Sequence, residues 1–167
     1  MKIGVLAVQG AFIEHEHIIE KIGHEVVEIR QRKDLDGIDG IILPGGESTV
    51  QGQLIRKLDM LATIKSLITD GLPTLATCAG LILLAGHIDN DDSIHIGTLP
   101  VTVKRNAYGR QLGSFVRTAP MKGFDKFPMT FIRAPYISSI KDNVDVLAAV
   151  DDRTVAVQYN NLSLIHI

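Results

Sequence analysis

The chain has 167 residues and a single cysteine, which rules out an internal disulfide framework and fits a reducing compartment. It has no excess of either charge: the formal net charge is −2, and aromatic residues make up only 5%. A nucleic-acid surface needs a basic face and stacking platforms, whereas Lys104, Arg105 and Arg110 form only a small basic patch. Long apolar runs are missing too. The opening stretch Met1-Lys2-Ile3-Gly4-Val5-Leu6-Ala7-Val8 is too short for a signal peptide or a membrane span, and nothing else approaches that length. A cytoplasmic protein without membrane or nucleic-acid partners is therefore expected. Repeats, low-complexity tracts and linkers are also lacking. With 46% hydrophobic residues, the chain suits one domain, 1–167, with a substantial core.

The first half alternates strand and helix signals. Ile3 to Val8 is a near-continuous apolar run, as expected of a parallel strand covered on both faces. Ala11 to Ile22 places Phe12, Ile18, Ile19 and Ile22 on one helical stripe, and Gly23 ends it. Strands follow at Val26–Ile29 and Gly40–Leu43. Ser48 and Thr49 can cap a helix reaching Lys57, and another runs from Asp59 to Thr69. A fourth strand ends near Cys78. This order implies an α/β fold, an open, mostly parallel, flavodoxin-like sheet with helices on both faces. The second half is rich in short strand candidates: 99–103, 113–116, 129–132, 144–148 and 154–158.

Two loops leave strands at the carboxyl edge, where ligands bind in such sheets. One carries Cys78 between an apolar strand and the apolar helix start Ala79-Gly80-Leu81-Ile82. A thiol there lies beside the positive end of a helix, which favours the thiolate, and small neighbours permit a sharp turn like a nucleophile elbow. Position alone leaves a buried structural cysteine equally open. The other loop is Pro44-Gly45-Gly46-Glu47-Ser48-Thr49, whose glycines permit positive φ and leave backbone N–H groups unobstructed. Such donors suit a phosphate or an oxyanion. No Gly-Lys-Ser/Thr follows, and no Gly-x-Gly-x-x-Gly follows the first strand, so nucleotide loops are disfavoured.

Metal sites can be set aside. His15 and His17 stand about 200° apart around a helix, and Ile19 occupies the last position that His-Glu-x-x-His would require. Asp89-Asn90-Asp91-Asp92 starts like a calcium loop but has Ile94 at its sixth position and Pro100 at its twelfth.

Four motifs stand in order: Pro44-Gly45-Gly46-Glu47-Ser48-Thr49, Thr77-Cys78-Ala79-Gly80-Leu81, Arg105-Asn106-Ala107-Tyr108-Gly109-Arg110-Gln111 and Phe131-Ile132-Arg133-Ala134-Pro135. Together they resemble the class I glutamine amidotransferases. With Val5-Leu6-Ala7-Val8-Gln9-Gly10-Ala11, the chain is similar, from Met1 to about Asn161, to the glutaminase subunits of pyridoxal 5'-phosphate synthase. The resemblance implies hydrolysis of L-glutamine through a glutamyl thioester, with ammonia passed to a partner synthase subunit and no bound cofactor. It implies Cys78 as nucleophile, the N–H groups of Gly46 and Ala79 as oxyanion donors, and Glu47, Ser48, Arg105, Ile132 and Arg133 around glutamine.

One departure stands out. The family completes its catalytic set with His-Pro-Glu shortly after the strand that is here Thr154 to Gln158, then a closing helix. This chain reads Tyr159-Asn160-Asn161-Leu162-Ser163-Leu164-Ile165-His166-Ile167 instead, with His166 about two residues early. The implied activity of the 167-residue chain is weak or absent. Two further classes stay open: a catalytically silent glutaminase-like subunit that only docks to the synthase, and a different cysteine enzyme, such as a deglycase or peptidase, on a related sheet.

Overall fold

The computed structural model describes residues 1–89, 91–105, 115–131, 135–141 and 143–165. The elements run β1 (Lys2–Leu6), α1 (Ile13–Lys21), β2 (Glu25–Ile29), a 3-10 turn (Arg32–Leu35), β3 (Gly40–Leu43), α2 (Ser48–Lys57), α3 (Leu61–Thr69), β4 (Thr74–Ala76) and α4 (Ala79–Leu84). The second half adds β5 (Ala85–Ile88), β6 (Leu99–Lys104), β7 (Phe115–Met121), β8 (Phe124–Phe131), β9 (Tyr136–Ile140), β10 (Asp145–Val150), β11 (Arg153–Tyr159) and β12 (Leu162–Ile165).

The main sheet has the order β2-β1-β3-β4-β12-β11-β9-β6-β5, with β10 paired to β11. From β2 to β12 every pairing is parallel, while β12-β11, β11-β9 and β9-β6 are antiparallel. A parallel half thus meets an antiparallel half at β12. Alternation along the strands divides the core between two faces. Leu6, Ile41 and Leu43 join Ile55, Ile64 and Leu81 of α2, α3 and α4 in the larger cluster, whereas Val5 and Ile42 meet Ile19 of α1. The separate hairpin β7-β8 supplies Met121, Met129 and Phe131 to a third cluster with Val150 and Val155.

Several expectations need correcting. The apolar stripe of α1 is not a buried face: Ile19 is 4% exposed, but Ile18 and Ile22 are 59% and 62% exposed. Ile18 and Ile19 are about 100° apart around the helix, so only one of them can meet Val5 and Ile42. The helix after Cys78 lasts six residues and gives way at once to β5. The cap of α2 is not a hydroxyl; the Glu47 carboxylate accepts the N–H groups of Thr49 and Val50 at 3.3 and 2.9 Å. Strands β9 and β12 were not foreseen. Leu162–Ile165, within the stretch that departs from the family pattern, lies parallel to β4 with Leu164 opposite Ala76.

Close approach of α4 to β3 depends on one small residue. A Cβ on Gly80 would collide with the main-chain carbonyl of Leu43, which a flexible side chain could not relieve. Gly80→Ala should therefore cost roughly 2–3 kcal/mol, as overpacking against fixed neighbours does. The midpoint of urea unfolding checks this, and an unchanged midpoint would contradict the packing described.

Candidate active site

The site is built where β3 and β4 deliver their carboxyl ends side by side, with Leu43 opposite Ala76. Cys78 follows β4 and takes φ 45° and ψ −102° as the N-cap of α4. An L-residue at positive φ costs about 1–3 kcal/mol unless its surroundings impose it. Here they do. Thr77 N–H donates to the Leu43 carbonyl at 3.0 Å, Gly80 N–H donates to Thr77 at 2.8 Å, and the missing Cβ of Gly80 lets the turn sit against β3. The sulfur is thereby held facing the loop after β3.

That loop carries Gly45 and Gly46, and neither adopts positive φ, contrary to expectation. Their smallness provides room instead. A Cβ on Gly46 would lie 2.5 Å from Gln9 Oε1 and 2.8 Å from Gln51 Nε2, and one on Gly45 would lie 3.5 Å from the Cys78 Cβ. Gln51, fully buried on α2, donates through Nε2 to the carbonyls of Gln9 and Pro44 at 2.9 and 3.3 Å. Gln9 Oε1 accepts the Glu47 N–H at 2.9 Å, and Ala11 N–H donates to Gly45 at 2.9 Å. The two loops are laced together by these bonds. Gln51 carries no sequence signal of this role, since a glutamine in a helix ordinarily reads as surface.

The backbone N–H groups of Ala79 and Gly46 stand beside the Cys78 sulfur and act to lower its pKa. One belongs to the start of α4 and the other to the loop after β3. Burial nevertheless pushes the thiol up from its ordinary range, outweighing these two donors, which act to lower it. The expectation of a favoured thiolate is thus overturned. Helix α4 has only six residues and a correspondingly weak dipole, and the sulfur is partly buried.

Arg105, at the end of β6, bridges the rim of this site. Its Nη2 donates to Ser48 Oγ and Thr49 Oγ1 at 2.9 Å and lies 3.3 Å from Glu47 Oε1, while Nη1 donates to Asp91 Oδ2 at 2.9 Å. Burial acts to raise the Glu47 carboxyl, but N–H donation from Val50 and Thr49, with Arg105 beside it, holds it below the usual range. The structure thus brings Cys78, Ala79, Gly46, Glu47, Ser48 and Arg105 to one edge, together with Gln9, Gln51, Thr49 and Asp91, none of which was expected to act at the site. Ile132, Arg133 and His166 lie outside the described residues. Among the described residues, no group of three or more His, Cys, Asp or Glu is placed to hold a metal ion, and no helix is long and apolar enough to cross a membrane.

A cysteine at positive φ on a strand-to-helix turn stands at the carboxyl edge of a parallel sheet, and likeness to known proteins sets its class: a glutamine amidotransferase. The model of the SNO glutamine amidotransferase family matches residues 5–166. A curated relative named pyridoxal 5'-phosphate synthase subunit PdxT, from Desulfitobacterium hafniense (strain DSM 10664 / DCB-2), is 56% identical over 96% of this chain and 81% of its own length. Its counterpart in Streptococcus pneumoniae (strain CGSP14) is 51% identical over 97% of this chain and 86% of its own. A crystal structure described as a glutamine amidotransferase superposes with TM-score 0.92 at 36% identity, covering 98% of this chain and 87% of that one. The chain belongs to the SNO glutamine amidotransferase family.

The buried thiol yields a pH prediction. Iodoacetamide reacts with the thiolate, so the alkylation rate of Cys78 should rise with an inflection above the ordinary cysteine value of about 8.5. An inflection near neutrality would show that the donors, and not burial, control this sulfur.

Proposed function

We propose that this chain is the glutaminase subunit of a pyridoxal 5'-phosphate synthase, hydrolysing L-glutamine to glutamate and ammonia and handing the ammonia to the synthase subunit in a heteromeric complex. One observation carries the reading: Cys78 is held at positive φ on its strand-to-helix turn, with the Gly46 and Ala79 N–H groups beside its sulfur. The relatives named as PdxT subunits supply the substrate class and the partner.

In this reading the Cys78 thiolate attacks the amide carbon, and the carbonyl oxygen takes up negative charge against Gly46 and Ala79 N–H. The C–N bond breaks as nitrogen gains a proton and leaves as ammonia, giving a glutamyl thioester. Water then cleaves the C–S bond, releasing glutamate and restoring the thiol. Glu47, Ser48 and Arg105 contact the amino-acid head group, the guanidinium suiting its α-carboxylate, and the family's motif adds Ile132 and Arg133 as glutamine contacts. The whole of 1–167 acts as one domain, and its compartment is the cytoplasm. A base must carry the proton from thiol to ammonia. Among the described residues, no imidazole is hydrogen-bonded to Cys78.

Ammonia release from L-glutamine, measured with the synthase subunit over a range of pH, tests the proposal. Any turnover should climb as the thiol ionises and should fall to background in Cys78→Ala, since removing a nucleophile costs roughly three or more orders of magnitude. Complex formation with no Cys78-dependent ammonia at any pH would favour the silent docking subunit instead.

A further inference from the structure

Asp91 lies on the segment between β5 and β6, outside every motif that identifies the family. Both of its carboxylate oxygens are engaged. Oδ1 accepts the Ser93 N–H at 2.9 Å and Oδ2 accepts Arg105 Nη1 at 2.9 Å. The segment is pinned in turn. Asp91 pairs with Ile88 at the end of β5, and Arg56 of α2 donates to the Ile94 carbonyl at 2.7 Å. The His95 ring lies over Gly52, filling the space a Cβ would take, with its Nδ1 3.2 Å from Arg56 Nη1. Asp91 is therefore a fixed carboxylate and not a mobile surface charge.

Arg105 is the opposite kind of residue. It sits at the end of a strand on a long side chain, and holding such a chain in one rotamer costs up to about 2 kcal/mol. Ser48, Thr49 and Glu47 all take Nη2; Asp91 is the sole protein acceptor of Nη1 among the described residues. With one nitrogen tied to α2 and the other to the 91–95 segment, the guanidinium plane is set from two sides. Its Nε–H has no protein acceptor among the described residues, so the fork keeps donor capacity for a carboxylate ligand.

Resting on the glutaminase reading above, we propose that Asp91 is the positioning residue for Arg105, orienting its guanidinium to receive the α-carboxylate of glutamine. Asp91 touches no reacting atom and acts through Arg105 alone. A competing role has the opposite sign. Were Asp91 a resident occupant that glutamine must displace, removing it would tighten binding.

The test is calorimetric titration of L-glutamine into the complex of the full chain with the synthase subunit, in a Cys78→Ala background that prevents turnover. Asp91→Ala should raise the Kd about three- to fivefold, within the range of partly exposed ion pairs. Asp91→Glu should recover most of that loss. In an Arg105→Ala background, Asp91→Ala should change nothing further, because its effect passes through the guanidinium. Iodoacetamide alkylation of the parent Cys78 should stay within twofold in Asp91→Ala, showing the elbow intact. The proposal is overturned by tighter or unchanged glutamine binding in Asp91→Ala, by additivity with Arg105→Ala, or by an equal change in alkylation. If the chain with intact Asp91 binds no glutamine, the glutaminase reading fails first and takes this inference with it.

Discussion

The structure turns on the backbone of Cys78. An L-residue held at φ 45° is unfavourable by itself, so every neighbour that fixes it becomes a condition for the site. Leu43 at the end of β3 supplies two of those conditions. Its carbonyl accepts Thr77 N–H at 3.0 Å, and it is the surface against which Gly80 packs without a side chain. The same β3 end leads directly into Gly45 and Gly46. One strand terminus thus sets both the turn that presents the sulfur and the loop that presents a donor to it. The parallel half of the sheet, with its two buried faces, is what makes that terminus rigid.

The electrostatics of the sulfur follow from this placement. Two N–H groups beside it act to lower the thiol's pKa, yet burial outweighs them and raises it. A site of this kind stabilises charge that arrives during reaction more than charge present beforehand. Donors aimed at one point lose little on reorganisation, whereas an exposed thiolate would be solvated by water and less reactive. The cost is dependence on a proton acceptor. The antiparallel strand β11 turns at Asn160, at φ 50°, into β12, which runs alongside β4 towards the edge where Cys78 stands.

Much of the parallel half was legible in the sequence because β1 and β3 are largely apolar runs and α1 and α3 stop just before a glycine. Gly40–Leu43 and the extent of α2 match their expected bounds, and Gly23 and Gly71 take the positive φ that ends helices. The antiparallel half was less legible for a physical reason. Tyr136–Ile140 is a strand with two central serines, and its hydrogen bonding comes from distant β6 and β11, which no local pattern reveals. Leu162–Ile165 has only four residues and lies within the stretch that departs from the family pattern, so neither length nor motif marks it as a strand. At the site, Cys78, Ala79, Gly46, Glu47, Ser48 and Arg105 were visible through their motifs. Their mode of action was less so: the glycines give space and not positive φ, and Glu47 caps α2 while pairing with Arg105. Gln51 and Asp91 were invisible, because their roles exist only through contacts 42 and 14 residues away in the chain.

The central claim is that Cys78 attacks a glutamine held at this edge. Peptide mass mapping after incubation with 6-diazo-5-oxo-L-norleucine, a glutamine-shaped diazoketone, tests it most directly. The account predicts one adduct, on the peptide containing Cys78, with dinitrogen lost and the thioether formed, and with labelling suppressed by excess L-glutamine. Labelling of other residues in preference to Cys78, or labelling of Cys78 that glutamine does not suppress, would contradict it.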